Sequence, residues 1–229
     1  MIKFTKLIAL LLVAALTAAL FAGCGTSQAV LDTKNAELCA GKWLTIEDDS
    51  EEQAQILLEN IDLYEEEIAL VDLTTLQYGC ILEYNLAGTY RQYISAEHTK
   101  SCVRDFYEDA FAAMYAGRDS LAGLYEGTDL SAMTEEEFQL FYAELYGYED
   151  FAELISYFAE NAYDYSSLEN LESGTFTVEE EDSIYIVRDA DAIDLQSLGD
   201  NSGSVTFTIE NGTLTLVYSD DTVVYTDIG

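Results

Sequence analysis

The chain has 229 residues, of which 49% are apolar and 12% aromatic, so it can bury a sizeable core and is not wholly disordered. It has 44 Asp and Glu residues but only nine Lys and Arg residues, too few for a basic surface that neutralises phosphates. We therefore expect no nucleic-acid partner. One histidine and no proline narrow the available chemistry further.

Residues 1–23 differ in composition from the rest of the chain. Lys3 and Lys6 form a positive region, and residues 8–21 are apolar apart from Thr17. This run has the length of a signal-peptide core, whereas a membrane-spanning helix needs about 20 apolar residues. The pattern predicts a signal peptide over residues 1–23.

The signal peptide ends in Phe21, Ala22, Gly23 and Cys24, and polar residues follow at once. This tetrapeptide resembles the lipobox of bacterial lipoproteins, although Phe21 stands where leucine is usual. The resemblance implies that the chain is cut before Cys24 and that Cys24 carries a lipid. An ordinary secretory signal with an incidental cysteine is the alternative.

Lipidation of Cys24 predicts a protein anchored to the extracytoplasmic face of a cell membrane, most simply in a Gram-positive-type bacterium. The seven basic and 44 acidic residues that follow residue 23 give the mature chain a net charge of −37. Anionic headgroups repel such a chain, so we expect it to stand off the bilayer. We expect a lipidated polar tether over residues 24–37 and one domain over residues 38–229.

In the first half of this domain the sequence pattern predicts strands and short helices. Residues 41–46 form a strand that holds Trp43, the only tryptophan, and residues 51–61 have the apolar spacing of a helix. Residues 65–72 fit either a helix or a strand.

Strand patterns return at residues 77–84 and 89–94, and Gly88 in the short loop between them suits a positive φ. In the favoured register Tyr84 pairs with Tyr90, and Glu83 lies opposite Arg91, which adds an attractive cross-strand pair.

Residues 95–165 predict an inserted segment of three helices. Apolar residues recur at helical spacing from residue 95 to residue 116, and Gly117 ends this helix. Thr134 with Glu137 forms a capping box that opens the second helix. The third helix is expected over residues 149–162.

Five short strands follow, the first two over residues 175–179 and 183–188. Asn211-Gly212 is a strong hairpin signal and pairs Phe207 with Leu216. A second tight turn, at residues 220–221, would place Val223 opposite Tyr218 and Tyr225 opposite Leu216, which keeps one face apolar through three strands.

The predicted fold class is α+β: an antiparallel β-meander of about eight strands, a partial or closed barrel, with the helices inserted between the third and fourth strands. Gly41-x-Trp43 before such a meander resembles the lipocalin-like barrels. The chain is also similar to small lipid-anchored proteins of Gram-positive gut bacteria, through residues 84–90, 174–186 and 212–216. These resemblances imply location and architecture and carry no biochemical activity.

Few residues suggest chemistry. His98 and Cys102 would share a helix face and could form a nucleophile pair, or they could be a solvated side chain and a small apolar contact. Cys39, Cys80 and Cys102 permit one disulfide outside the cytoplasm, and the choice of partners stays open. Residues 189–194 resemble a calcium loop only faintly and favour a solvated acidic loop, so we expect no metal site.

Many of the 17 tyrosines fall in the helical segment. Six of them could form an aromatic groove for sugars or peptides, or they could line the interface between helices and sheet, which we favour: Tyr107, Tyr115, Tyr142, Tyr146, Tyr157 and Tyr163.

We find no catalytic constellation and predict a non-enzymatic lipoprotein without a cofactor. The first expectation for its function is binding of a small apolar ligand, or of a partner, at a barrel mouth covered by the helices. The alternative is an accessory protein of the cell envelope that has no small-molecule ligand and uses its acidic surface to bind a cationic protein.

We predict that replacing Cys24 with alanine releases the protein from membranes, because the lipid is attached through this sulfur. Fractionation of cells that express the unchanged chain or the Cys24→Ala variant measures this. A variant that still sediments with membranes would contradict the anchor.

Overall fold

A computed structural model describes residues 27–166, 171–189, 202–219 and 221–229 of the protein. We number the helices and strands in chain order. The helices of the described residues are α1 Gln28–Ala40, α2 Glu51–Asn60, α3 Glu65–Ile68, α4 Ala96–Ala116, α5 Glu135–Leu145 and α6 Phe151–Asn161. The strands are β1 Lys42–Asp48, β2 Gln77–Asn85, β3 Thr89–Ile94, β4 Glu172–Glu180, β5 Ser183–Arg188, β6 Ser202–Glu210, β7 Thr213–Val217 and β8 Thr222–Asp227.

The eight strands form a closed antiparallel barrel in which each strand pairs with its neighbour in sequence. The barrel closes where β1 pairs with β8, with Trp43 opposite Asp227 and Leu44 opposite Thr226. The α+β prediction with a barrel and a helical insertion is therefore confirmed. Of the two options, partial or closed, the barrel is closed.

Turn residues set the hairpin registers as the sequence predicts. Gly88 has a φ of +79°, and Tyr84 pairs with Tyr90 across the β2–β3 hairpin. Asn211 and Gly212 have φ values of +53° and +77°, the conformation that a two-residue hairpin turn needs. The expected pairs on either side of both turns are present.

The register predicted for the last hairpin is wrong by two residues. Val223 lies opposite Leu216 and Tyr225 lies opposite Leu214. The chain reverses one residue earlier than predicted, because the amide of Tyr218 donates to the carbonyl of Asp221 at 2.8 Å and only two residues lie between these partners. A shift of two residues leaves each side chain on its expected face, since the side-chain period of a strand is two.

The barrel interior is filled with apolar side chains. They form one buried cluster that spans all the strands: Trp43, Leu82, Tyr84, Tyr90, Phe176, Val178, Ile184, Ile186, Val205, Phe207, Leu214, Leu216, Tyr218 and Tyr225. Leu38 of α1 joins this cluster, and the indole N–H of Trp43 donates to the carbonyl of Leu38 at 2.9 Å. The one tryptophan therefore fixes α1 to one end of the barrel.

The prediction of a tether over residues 24–37 needs a correction, because most of this segment lies in α1, which begins at Gln28. Its apolar residues do not recur at helical spacing, so the sequence pattern does not indicate a helix. The contact of Leu31 and Leu38 with the barrel core stabilises it instead.

The other helices form a second hydrophobic core outside the barrel. The inserted helices α4, α5 and α6 lie between β3 and β4, as predicted, and α2 and α3 from the β1–β2 connection pack with them. Residues 65–72, left open between helix and strand, begin with the short helix α3. Among the described residues, no helix combines the length and apolarity needed to cross a membrane.

Gly79 lets the helical layer approach the barrel closely. A Cβ atom at this position would lie 2.5 Å from the Cβ of His98, so only glycine permits the observed packing of α4 on β2. The amide of Gly79 also donates to the hydroxyl of Thr99 on α4 at 3.2 Å. The two cores are thus joined through β2.

We predict that Trp43→Phe lowers the free energy of unfolding by about 2–4 kcal/mol, because it opens a cavity and leaves the buried carbonyl of Leu38 without its donor. Urea denaturation followed by circular dichroism measures the change. Val224→Thr, on the exposed outer face of β8, is the control and should change stability by less than about 0.5 kcal/mol. Equal stability of the Trp43→Phe variant and the unchanged protein would contradict this role of the indole.

Candidate functional site

The structure does not make a nucleophile pair of His98 and Cys102. The ring Nδ1 of His98 lies 2.7 Å from the hydroxyl of Ser95, at the N-terminus of α4. Burial raises the pKa of the Cys102 thiol, which lowers its thiolate fraction, whereas a nucleophile needs the opposite. The geometry supports the structural interpretation of both residues.

The other cysteines of the described residues also form no disulfide and no metal site. Cys39, Cys80 and Cys102 are free thiols, so the disulfide that the sequence left open does not form among them. Cys24, the predicted lipidation site, lies outside the described residues, as do all residues of the acidic stretch 189–194 except Asp189. Within the described ranges no group of three metal-ligating side chains converges.

Among the described residues of the barrel, one ionic contact is buried. The Nε of Arg188 on β5 lies 3.1 Å from a carboxylate oxygen of Glu172 on β4, and both side chains are almost fully buried. The hydroxyl of Tyr90 on β3 donates to the other carboxylate oxygen at 2.5 Å. A buried pair of this kind specifies which strands meet, and its charges are balanced within the barrel. We therefore assign it to the fold.

The six tyrosines singled out in the sequence divide into two groups. Tyr107 and Tyr142 are fully buried, and Tyr115 and Tyr163 are partly buried, so these four rings do not form an open groove. They pack in the core among the helices, whereas the prediction placed them between helices and sheet. Tyr157 is different because 49% of its surface is exposed, and Tyr146 is only partly buried. These two rings belong to a pocket.

This pocket, which we call the aromatic pocket, lies where α2, α4 and α6 meet, and its volume is about 250 Å³. Four rings line it: Tyr107, Tyr146, Tyr157 and Phe158. The polar side chains at its edge are Asn60, Asp62 and Asn161, all exposed to solvent. It thus combines an apolar floor with a few polar groups, as ligand pockets do.

Hydrogen bonds to backbone carbonyls hold the rings in place. The hydroxyl of Tyr107 donates to the carbonyl of Leu57 at 3.3 Å, and the hydroxyl of Tyr146 donates to the carbonyl of Ile61. Both carbonyls belong to the C-terminal end of α2, where backbone acceptors have no partner within the helix. The tyrosines therefore satisfy these groups and are positioned by them.

The electrostatic environment of the pocket is negative. Burial raises the pKa of the Tyr146 hydroxyl, and the nearby carboxylates of Glu67 and Asp62 raise it further. Glu67 is itself fully buried and accepts hydrogen bonds from the amide of Tyr64, from the hydroxyl of Tyr125 at 2.8 Å, and from the hydroxyl of Tyr142. This carboxylate fixes α3 to α5 behind the pocket.

Sequence patterns did not identify the aromatic pocket. Asn60 ends α2 and Asp62 lies two residues further on. Tyr107 lies in α4, and Tyr157 and Asn161 lie in α6. No regular spacing in the sequence connects these segments. The excess of tyrosine in the helical segment was the only signal, and burial explains most of it.

Comparisons of the chain with family models, with curated proteins and with solved structures found no match.

We predict that Cys80 resists thiol alkylation in the native protein. Burial raises the pKa of its thiol to about 12, so almost no reactive thiolate forms at neutral pH, and the rate should rise only as the pH approaches that value. Peptide mass spectrometry after iodoacetamide treatment compares Cys80 with Cys39 and Cys102, which are half-buried and should react faster. All three should react alike in urea. Native labelling of Cys80 at the rate found in urea would contradict the burial.

Proposed function

We propose that the protein is a non-enzymatic lipoprotein, anchored by Cys24 to the extracytoplasmic face of the cell membrane, that binds a small ligand in the aromatic pocket. The signal peptide and the Cys24 motif support the location. The aromatic pocket supports the binding function, and it is the observation that carries the proposal.

The filled barrel favours the helical layer as the place of binding. The sequence suggested a ligand at the barrel mouth, but aromatic and aliphatic side chains from every strand occupy the interior. An eight-stranded barrel can either be filled by its side chains or hold one small ligand, and here the side chains fill it. We infer that the barrel acts as the scaffold and that the helices carry the ligand.

The dimensions of the aromatic pocket indicate the size of the ligand. Pockets for drug-sized compounds have volumes of about 300–1,000 Å³, and this pocket is slightly smaller. The exposed side of Tyr157 gives a ligand access from solvent, while Phe158 and Tyr107 form the buried side. A compound with a compact apolar group fits this arrangement.

The non-enzymatic part of the proposal rests on how the described residues use their reactive groups. The His98 ring contacts Ser95, the cysteine thiols are buried or half-buried, and the buried carboxylates of Glu67 and Glu172 are held by tyrosine hydroxyls. Each has a structural role in the fold.

Binding of a small neutral probe tests the proposal. We expect saturable binding of benzyl alcohol to the full chain in non-ionic detergent, measured by saturation-transfer difference NMR against empty micelles. Tyr157→Ala should weaken binding at least about fivefold, since it removes an exposed wall of the pocket.

The matched control is Tyr185→Ala, which removes a tyrosine of similar exposure from the outer face of β5. It should leave binding unchanged. Absence of binding, or equal losses in both variants, would contradict the aromatic pocket as a ligand site and would favour the alternative of an acidic accessory protein with a cationic protein partner.

A further inference from the structure

We propose that the ligand of the aromatic pocket is an organic cation, either a protonated alkylamine or a quaternary ammonium compound. This inference rests on the proposed function, because it names the chemical class of the ligand for the same pocket. It is carried by three features of the pocket: the helix ends that meet there, the charges at its edge, and the aromatic rings.

Two helices end at the pocket. Asn60 is the last residue of α2, Asn161 is the last residue of α6, and both line the pocket. The C-terminus of a helix carries about half a negative charge on its carbonyl groups, and Lys or Arg in the last turn usually offsets it. Neither helix has a basic residue in its last turn. The two helix ends therefore add negative potential at one place.

The side chains at the pocket increase this potential. Asp62 follows α2 directly and supplies a carboxylate, and none of the described residues that line the pocket is Lys or Arg. The buried carboxylate of Glu67 also acts on Tyr146, because it raises the pKa of the Tyr146 hydroxyl. An anionic ligand would be repelled here, whereas a cation would be attracted.

The aromatic rings supply the second part of cation recognition. The face of an aromatic ring attracts a cation within about 6 Å of its centroid. Phe158 lies at the centre of the ring cluster, with centroid distances of 5.4 Å to Tyr107, 5.1 Å to Tyr146 and 6.2 Å to Tyr157. These rings can contact the apolar groups of an alkylammonium ion while attracting its charge.

The tyrosine hydroxyls also favour a cation. Tyr107 and Tyr146 donate their hydroxyl hydrogens to the carbonyls of α2, so their oxygens have only lone pairs to offer a ligand. The side-chain amide of Asn161 donates to the carbonyl of Tyr157. A neutral sugar, which needs both donors and acceptors, finds fewer free donors at these groups than a cation finds acceptors.

Choline and its neutral carbon isostere, 3,3-dimethylbutan-1-ol, separate the charge from the shape of the ligand. We expect the full chain in non-ionic detergent to bind choline at least about tenfold more tightly than the isostere in isothermal titration calorimetry. Equal or weaker binding of choline would overturn the cation inference and leave the proposed function standing. If neither compound binds and benzyl alcohol does not bind, the proposed function fails as well.

An Asp62→Asn variant tests the local charge. Asp62 has a φ of +58°, a conformation that asparagine also adopts readily, so the variant should fold. We expect it to weaken choline binding about three- to tenfold and to leave binding of the isostere unchanged.

The control removes the same charge at a distance. Asp119, in the short 3-10 turn after α4, is exposed and does not line the aromatic pocket. Asp119→Asn should leave choline binding unchanged. An equal loss in both variants would show that choline senses only the net charge of the protein, and this would overturn the inference.

Discussion

Closure of the barrel is the constraint on which the other features depend. The pairing of β1 with β8 removes both free edges of the sheet, and it turns the apolar face of every strand toward one interior. Trp43 is one of the residues of β1 that pair with β8, and its indole is hydrogen-bonded to α1, so one residue connects the closing strands, the core and this helix. The interior is then a packed core.

Because side chains fill the barrel interior, the aromatic pocket lies in the helical layer. There, tyrosine hydroxyls bind the carbonyls that α2 leaves without partners at its end, and they bind the buried carboxylate of Glu67. In this layer phenol groups satisfy the buried carboxylate and the carbonyls at the helix end, and the chain has few basic residues that could do so. The same groups leave a pocket with aromatic walls and negative potential.

Much of the fold could be predicted from the sequence, because local signals set it. Gly88 and Asn211-Gly212 fix hairpin registers, and the capping box at Thr134 begins α5 where expected. The register after Tyr218 could not be predicted, since residues 219–222 include no Gly or Asn that would fix where the chain turns. Helix α1 was missed because tertiary contacts stabilise it. The aromatic pocket was missed for a related reason, since its residues come from four separate segments.

In the proposed function the barrel is a scaffold and the helical layer binds the ligand. An NMR titration of the full chain with choline, which follows backbone amides and the indole N–H of Trp43, tests this division. We expect shifts confined to residues around Asn60, Asp62, Tyr157 and Asn161, with the Trp43 indole signal unchanged. Shifts centred on Trp43 and the strands around it, or no shifts at all, would contradict it.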